Sequence, residues 1–333
     1  MQVTIKDIAK KTGVSYATVS RALNGRSGVK EDTRVLVLEE ARKMGYQPNA
    51  IARGLVLRYT HTLALVIPDI TNPFFPEIAR GVEDAASLLG YSVFLCNTNW
   101  DEEKERLYIK TLQEKRVDGI ILHPAYNVGE DRFSDFNIPM VLLNKIPGVV
   151  DYSSIEVDNV RGGYLAAKHL IEAGYRKIAF IGGSESSPSN KEREEGYKLA
   201  LSKYKIEIDD SLILKGGFKS KDGYDNMQRL INSGNIPDAV FGGNDIIALG
   251  VLHCVQENGL RVPEDIGIIG FDDIPYASLP QIQLTTIEQP KYQMGKYAIE
   301  LLMKTLEDKT DREIKRIILE PKLKIRKTTR EVY

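Results

Sequence analysis

Cysteine is nearly absent from this chain of 333 residues, which carries only Cys96 and Cys254. Two thiols in apolar runs (VFLCN and VLHCVQ) exclude a disulfide scaffold, and a free cysteine in such a run packs as a small buried hydrophobe. Tryptophan occurs once, and the four histidines, His61, His123, His169 and His253, are too scattered for metal-ligand spacing. No stretch approaches the roughly 18 uncharged apolar residues of a membrane span, and the opening MQVTIKDIAKK lacks a signal peptide's apolar core. A soluble, cytoplasmic chain with no membrane partner is expected.

Catalytic signatures are missing as well. The chain holds no GxGxxG, no Walker loop, no HExxH and no GxSxG. Asp272 and Asp273 are adjacent carboxylates, but neighbours on an extended chain point apart. Neither catalysis nor a cofactor or metal is expected.

The composition itself is ordinary: 42% apolar, 27% charged, with 27 Gly and 14 Pro. Those values exclude collagen, coiled coil and wholesale disorder, and the length argues for at least two domains. The net charge of −1 hides an asymmetry. Residues 1–60 carry eleven basic and five acidic side chains, a net of +6, whereas the remaining 273 carry 34 and 41, a net of −7. A basic head on an acidic body predicts a polyanion-binding module joined to something else, with contact confined to the head.

The head reads as helices only. Thr4 before Ile5-Lys6-Asp7 makes a capping-box start, Gly13 ends the first helix, and Ser15 is placed to cap the second. A third helix is predicted over 31–44, with Val35, Leu38 and Ala41 on one face and Gly45 as its stop. Gln47-Pro48-Asn49 makes a turn, and Ala50–Leu57 is too short to be stable as a helix alone.

From Thr62 the pattern becomes alternating strands and helices. Predicted strands are 63–68, 91–96, 119–124, 138–143, 177–183, 238–243 and 266–271, mostly continuous Ile- and Val-rich runs suited to buried parallel sheet. Between them, Phe75, Ile78, Val82, Ala85 and Leu89 follow a helical rhythm. Alternating βα units predict doubly wound parallel sheets whose ligands bind beyond the carboxyl ends of the strands, and some 270 residues suit two lobes with a cleft.

Residues 14–24 have the form of the second helix of a helix-turn-helix. Val19 and Leu23 lie one turn apart and can pack inward, while Tyr16, Ala17, Ser20 and Arg21 share the outer stripe. Short hydroxyl donors suit phosphates, and an arginine can fork onto guanine O6 and N7. The sequence is more specific than the shape. The pattern T-I-x-D-[IV]-A, then G-V-S-x-A-T-V-S-R-x-L-N, stands here as Thr4–Ala9 and Gly13–Asn24, and continues in Gly45–Asn49 and Ala50–Leu55. In these motifs the chain resembles the LacI/GalR family of bacterial regulators, and the likeness extends over essentially its whole length.

That resemblance implies an all-α helix-turn-helix head (1–48), a hinge helix and linker (49–60), and an α/β, two-lobed, periplasmic-binding-protein-like body (61–333) with parallel sheets. The first lobe would span about 61–158 and 290–318, the second about 159–288 and 319–333. It implies that Tyr16, Ala17 and Arg21 read bases, and that Thr4, Ser15, Thr18, Ser20, Asn24 and Asn49 bind or position on phosphates. Ala52 and Leu55 would lie in the hinge, Leu55 as a minor-groove wedge that kinks the duplex. The partners implied are a pseudo-palindromic double-stranded operator, a second copy of the chain, and a small-molecule effector.

The body's motifs (DITNPFFPEIARG, GFDDIP, TIEQP and RKTTR) resemble the ribose-repressor branch. By matched position, Phe74 and Phe218 would stack on sugar faces, while Asn72, Arg193, Asn244, Asp272 and Gln289 would bond its hydroxyls. Two positions depart. The ribose pattern's Asp-Arg after the fourth strand is Asn144-Lys145 here, and its usual Asn after the third strand is His123. Counting Lys145 and Arg193 against Asp272 leaves one net positive charge in the expected cleft. A sugar acid or sugar phosphate fits that balance slightly better than ribose, unless Lys145 pairs with a carboxylate such as Asp158.

The reading is therefore a homodimeric regulator, a repressor, controlled by a sugar or sugar derivative. Two alternatives stand beside it. A catabolite-type regulator with a phosphoprotein corepressor is weakened by Glu300, which replaces a basic contact of that branch. A cytoplasmic solute-binding protein without a DNA role fits the basic head poorly.

Overall fold

The computed structural model describes residues 3–46, 59–125, 133, 135–146, 148, 151–307 and 313–332. The chain divides into two compact units, Met1–Thr60 and His61–Tyr333.

In the first unit, α1 (Ile5–Thr12), α2 (Tyr16–Leu23) and α3 (Glu31–Lys43) surround a small core. The capping box forms as the sequence predicts: the Thr4 amide donates to Asp7 Oδ2 at 2.9 Å, and the Asp7 amide donates to Thr4 Oγ1 at 3.4 Å. Gly13 ends α1 in the left-handed region, at φ 70°. Ser15 Oγ accepts the Thr18 amide at 3.2 Å and caps α2. The core is Ile8, Val19, Ala22, Val37 and Ala41; the branched side chains Ile8, Val19 and Val37 each contribute about 1.5–3 kcal/mol on removal from water. The inward face of α3 is thus Val37 and Ala41, while Val35 and Leu38 are 46% and 45% exposed. Apolar character alone could not decide between two stripes of the same period.

The second unit contains two sheets. The first runs in the order β11-β5-β4-β3-β1-β2. Its strands are β1 (Thr62–Ile67), β2 (Ser92–Asn97), β3 (Gly119–Leu122), β4 (Met140–Leu143), β5 (Ser153–Val157) and β11 (Arg316–Leu319), all parallel. The second runs β12-β10-β9-β8-β6-β7. It comprises β6 (Ile178–Ile181), β7 (Ile213–Leu214), β8 (Ala239–Gly242), β9 (Gly267–Asp272), β10 (Thr285–Glu288) and β12 (Lys322–Lys324), with only β12 antiparallel. Flanking the first sheet are α4 (Phe74–Leu88), α5 (Glu102–Glu114) and α10 (Lys291–Glu307); flanking the second are α6 (Asn159–Glu172), α7 (Pro188–Lys203), α8 (Ser220–Asn232) and α9 (Asp245–Glu257).

Each sheet reverses its strand order at its first member, β1 in one and β6 in the other. Such switch points open crevices at the strands' carboxyl ends. Phe75, Ile78 and Val82 of α4 are buried as the periodicity predicts, but Leu89 caps that helix and is 52% exposed. Gly163 and Gly196 let α6 and α7 touch backbone to backbone: a Cβ on Gly163 would meet the Arg193 carbonyl at 2.2 Å. No helix among the described residues is long and apolar enough to cross a membrane.

Candidate functional site

Two sites emerge, one in each unit. On the head, Tyr16, Ala17 and Arg21 lie on the exposed face of α2, with Tyr16 55% exposed. The Arg21 guanidinium has no partner among the described residues, so its fork is free. Thr4 and Ser15 spend their hydroxyls as caps, Thr18 Oγ1 lies 2.9 Å from Ser15 Oγ, and Asn24 Nδ2 donates to the Ser20 carbonyl at 2.8 Å. Thr4 and Ser15 fix the N-terminal ends of α1 and α2, and Asn24 the C-terminal end of α2. Asn49, Ala52 and Leu55 lie outside the described residues.

In the body, a cleft of about 440 Å³ is lined by Asn72, Phe74, Phe75, Trp100, His123, Asn144, Ser187, Ser189, Asn190, Arg193, Phe218, Asn244 and Asp272. The lining comes from both lobes, beyond the carboxyl ends of β1, β2, β3, β4, β6, β7, β8 and β9, around the two points where the strand order reverses.

Three asparagines share one arrangement. Asn72 Oδ1 accepts the Phe74 amide at 3.0 Å, Asn190 Oδ1 accepts the Gly183 amide at 2.8 Å, and Asn244 Oδ1 accepts the Ile247 amide at 2.7 Å. Each oxygen is committed to backbone at a strand–helix turn, which leaves each Nδ2 as an oriented donor. The Nδ2 of Asn190 is buried with no partner among the described residues. A buried donor without an acceptor is costly and points to a ligand oxygen.

Arg193 is buried and held in place by the protein. Its Nε donates to Asn159 Oδ1 at 2.9 Å and its Nη1 to the Gly243 carbonyl at 2.6 Å, while the guanidinium lies 3.7 Å above the Phe271 ring. Burial pulls its pKa below the ordinary value, and Asp272, whose Oδ1 lies 3.8 Å away, opposes that pull. Burial likewise pushes the Asp272 carboxyl above the usual carboxylate range, against Arg193, Lys291 and the Gln289 amide. Gln289 is not in the lining; its Nε2 donates to Asp272 Oδ1 at 2.6 Å.

The two departures from the ribose pattern touch one another: Asn144 Nδ2 lies 3.1 Å from His123 Nε2. Burial pushes His123 down to about 4, so it is neutral at physiological pH. Lys145 is not among the lining residues of the cleft. Its Nζ pairs with Glu192 Oε1 at 2.7 Å, and Asp158, the partner suggested by the sequence, caps α6 instead. Phe218 packs against Gly183 and stacks on Trp100, with centroids 4.6 Å apart and planes 18° apart. Sequence reasoning missed Trp100 and Asn190. The first had a signal, as the only tryptophan of the chain and just beyond a strand; the second lay in a polar loop without one.

The pattern of bacterial regulatory proteins, lacI family, matches residues 4–49, and that of a periplasmic binding protein-like domain matches 167–329. The chain is 38% identical over 314 residues to catabolite control protein A of Priestia megaterium, covering 93% of this chain and 94% of that one. It is 38% identical over 334 residues to the HTH-type transcriptional repressor PurR of Haemophilus influenzae, covering 99% of both. Among solved structures, the lac repressor dimer bound to operator and the anti-inducer ONPF is similar with a TM-score of 0.87 at 26% identity, over 99% of this chain and 100% of that one. A LacI family regulator from Enterococcus faecium with bound ribose is similar with a TM-score of 0.72 at 31% identity, over 81% and 98%.

Proposed function

The chain belongs to the LacI family of bacterial regulatory proteins, and from that membership we propose that a neutral monosaccharide in the body's cleft sets how tightly the head holds operator DNA. The protein is a DNA-binding transcriptional regulator and not an enzyme, and it acts on its operator as a dimer. Its head carries the family's DNA-binding pattern, which sets aside a solute-binding protein without a DNA role. Operator binding puts its work in the bacterial cytoplasm.

The observation that carries the sugar reading is the donor set. Three asparagine amides with committed oxygens, one of them buried without a partner, suit the oxygens of a polyhydroxylated ligand. The charge balance favours a neutral one. Arg193 faces Asp272, Lys145 is neutralised by Glu192, and His123 is uncharged, so an anionic ligand would enter without a free cation. This reverses the slight preference for an anionic sugar drawn from the sequence, where Lys145 was counted as unpaired. The relative with bound ribose supports the same class.

Calorimetry with D-ribose, ribose 5-phosphate and a hexonate tests the reading. Binding of the neutral sugar, unaffected by Lys145→Met, is expected. Binding of only the charged ligands, abolished by Lys145→Met, would overturn it.

A further inference from the structure

Lys291 is 4% exposed, at the first turn of α10, and burying an ammonium is costly unless its protons find acceptors. Here they find backbone. Its Nζ donates to the Asp272 carbonyl at 2.6 Å and the Asp273 carbonyl at 2.8 Å, with the Gln289 carbonyl at 3.5 Å. Glu77 Oε2 stands 3.5 Å off and is the only carboxylate oxygen paired with Nζ among the described residues.

The two residues it holds have an unusual backbone. Asp272 has φ 126° and Asp273 has φ 53°, both in the region that side chains with a Cβ rarely adopt. A turn of this kind persists only where its surroundings over-determine it. Lys291 supplies that determination by gathering two successive carbonyls onto one charge. A compact ammonium can do so; a methionine of similar length would leave the Asp273 oxygen without this donor and the Asp272 oxygen with only the Gln289 amide, at 3.4 Å.

The turn has two outputs. On one side the Asp272 carboxylate enters the cleft, held by Gln289 and facing Arg193. On the other the chain continues to Ile274, whose amide donates to Asp245 Oδ2 at 2.8 Å and whose side chain is buried in the core of the first lobe. Asp273 is tied separately, its Oδ1 accepting from Arg326 at 2.6 Å. The strand end that meets the ligand and the residue that docks on the opposite lobe are therefore neighbours across one clamped turn. The clamp itself belongs to α10, which packs on the first lobe.

We propose that Lys291 is a positioning residue for effector binding: from the first lobe it holds the left-handed Asp272–Asp273 turn that presents the Asp272 carboxylate to the ligand. The proposal rests on the reading of Asp272 as an effector contact. Lys291 touches no ligand and acts through the turn.

A double-mutant cycle with D-ribose as the probe separates this role from general stabilisation. Lys291→Met is expected to weaken ribose binding at least tenfold in the native background and less than twofold in an Asp272→Asn background. Equal losses in the two backgrounds, or no loss in either, would overturn the proposal. Lys291→Gln, which keeps a donor, covers the case where the methionine variant does not fold and is expected to lose less affinity. A crystal structure of the ligand-free variant decides the matter whether or not ribose is the effector. Relaxation of the Asp272 φ out of the left-handed region is expected, and an unchanged turn would refute the clamp.

Discussion

Trp100 and Phe218 face each other from opposite lobes of the body, stacked at 4.6 Å. The sequence suggested Phe218 as a platform for a sugar; the structure gives one of its faces to a tryptophan. Trp100 also meets the His123 ring edge-on at 6.2 Å, so it joins the cleft wall to the contact between lobes.

Because the chain has a single tryptophan, its emission reports on this contact alone. Saturating effector is expected to change the intensity or wavelength of Trp100 emission. Trp100→Ala should weaken effector binding about 2- to 10-fold, the equivalent of the roughly 0.5–1.5 kcal/mol of an aromatic pair. Calorimetry and fluorescence on the same samples check both. An emission spectrum indifferent to a bound effector would remove Trp100 from the binding step.

On the head, the free guanidinium of Arg21 stands on the exposed stripe of α2. Arg21→Ala is expected to cost about 1–3 kcal/mol per half-site and to relax preference at one base pair. Selection of binding sites from a random pool, at fixed salt, measures this. Recovery of the native consensus with uniformly lower affinity would make Arg21 a phosphate contact.

The paired carboxylates beneath the cleft set a pH dependence. Asp245 is fully buried, accepts from Ile274 and Thr286, and is pushed above the carboxylate range by burial and then by Asp272. A carboxyl whose folded pKa exceeds its unfolded value binds more protons when folded, so stability falls as pH rises from about 4 through the raised value. His123 opposes this: its pKa, lowered by burial to about 4, makes stability rise with pH up to its unfolded value of about 6.5. The difference between two proteins isolates the carboxylate. Between pH 5 and 8, Asp245→Asn is expected to remove the downward contribution to the thermal midpoint. Parallel profiles for the native protein and the variant would show that Asp245 is ionised throughout.

Most of this architecture is legible locally. The seven strands expected from apolar runs are all present, and all but β2 are buried, because a strand buried on both faces must be apolar along its length. The missed strands are those whose polar groups are satisfied from far away. Glu156 of β5 is 5% exposed because Arg316, 160 residues later, meets both its oxygens at 2.6 Å. Thr285 of β10 is buried against Thr328 and Thr329. The same limit applied to the site. The resemblance to the ribose-repressor branch marked Asn72, Asn244 and Asp272, but the partner of Lys145 lies 47 positions away on another lobe, and no local pattern could assign it.

The edge strand β2 carries the last prediction. Its Phe94 and Leu95 are each 47% exposed, and the turn that leads into it adds Leu88 at 88% and Leu89 at 52%. A strand read from the sequence as buried is in fact open along one side, with no strand among the described residues on its outer edge and apolar side chains beside it. Such an edge invites pairing or cover by another chain. In a protein that acts as a dimer, the second copy is the occupant that this patch fits, and a self-complementary interface would bury it on both subunits at once. Leu88→Glu and Phe94→Glu place charges in that seam without touching the core. Sedimentation velocity is expected to show monomers at concentrations where the native chain is dimeric, with operator affinity reduced more than tenfold by loss of the second head. The thermal midpoint of the ligand-free monomer should stay close to that of the native protein diluted to its monomeric range. Variants that remain dimeric and hold operator normally would move the interface away from β2.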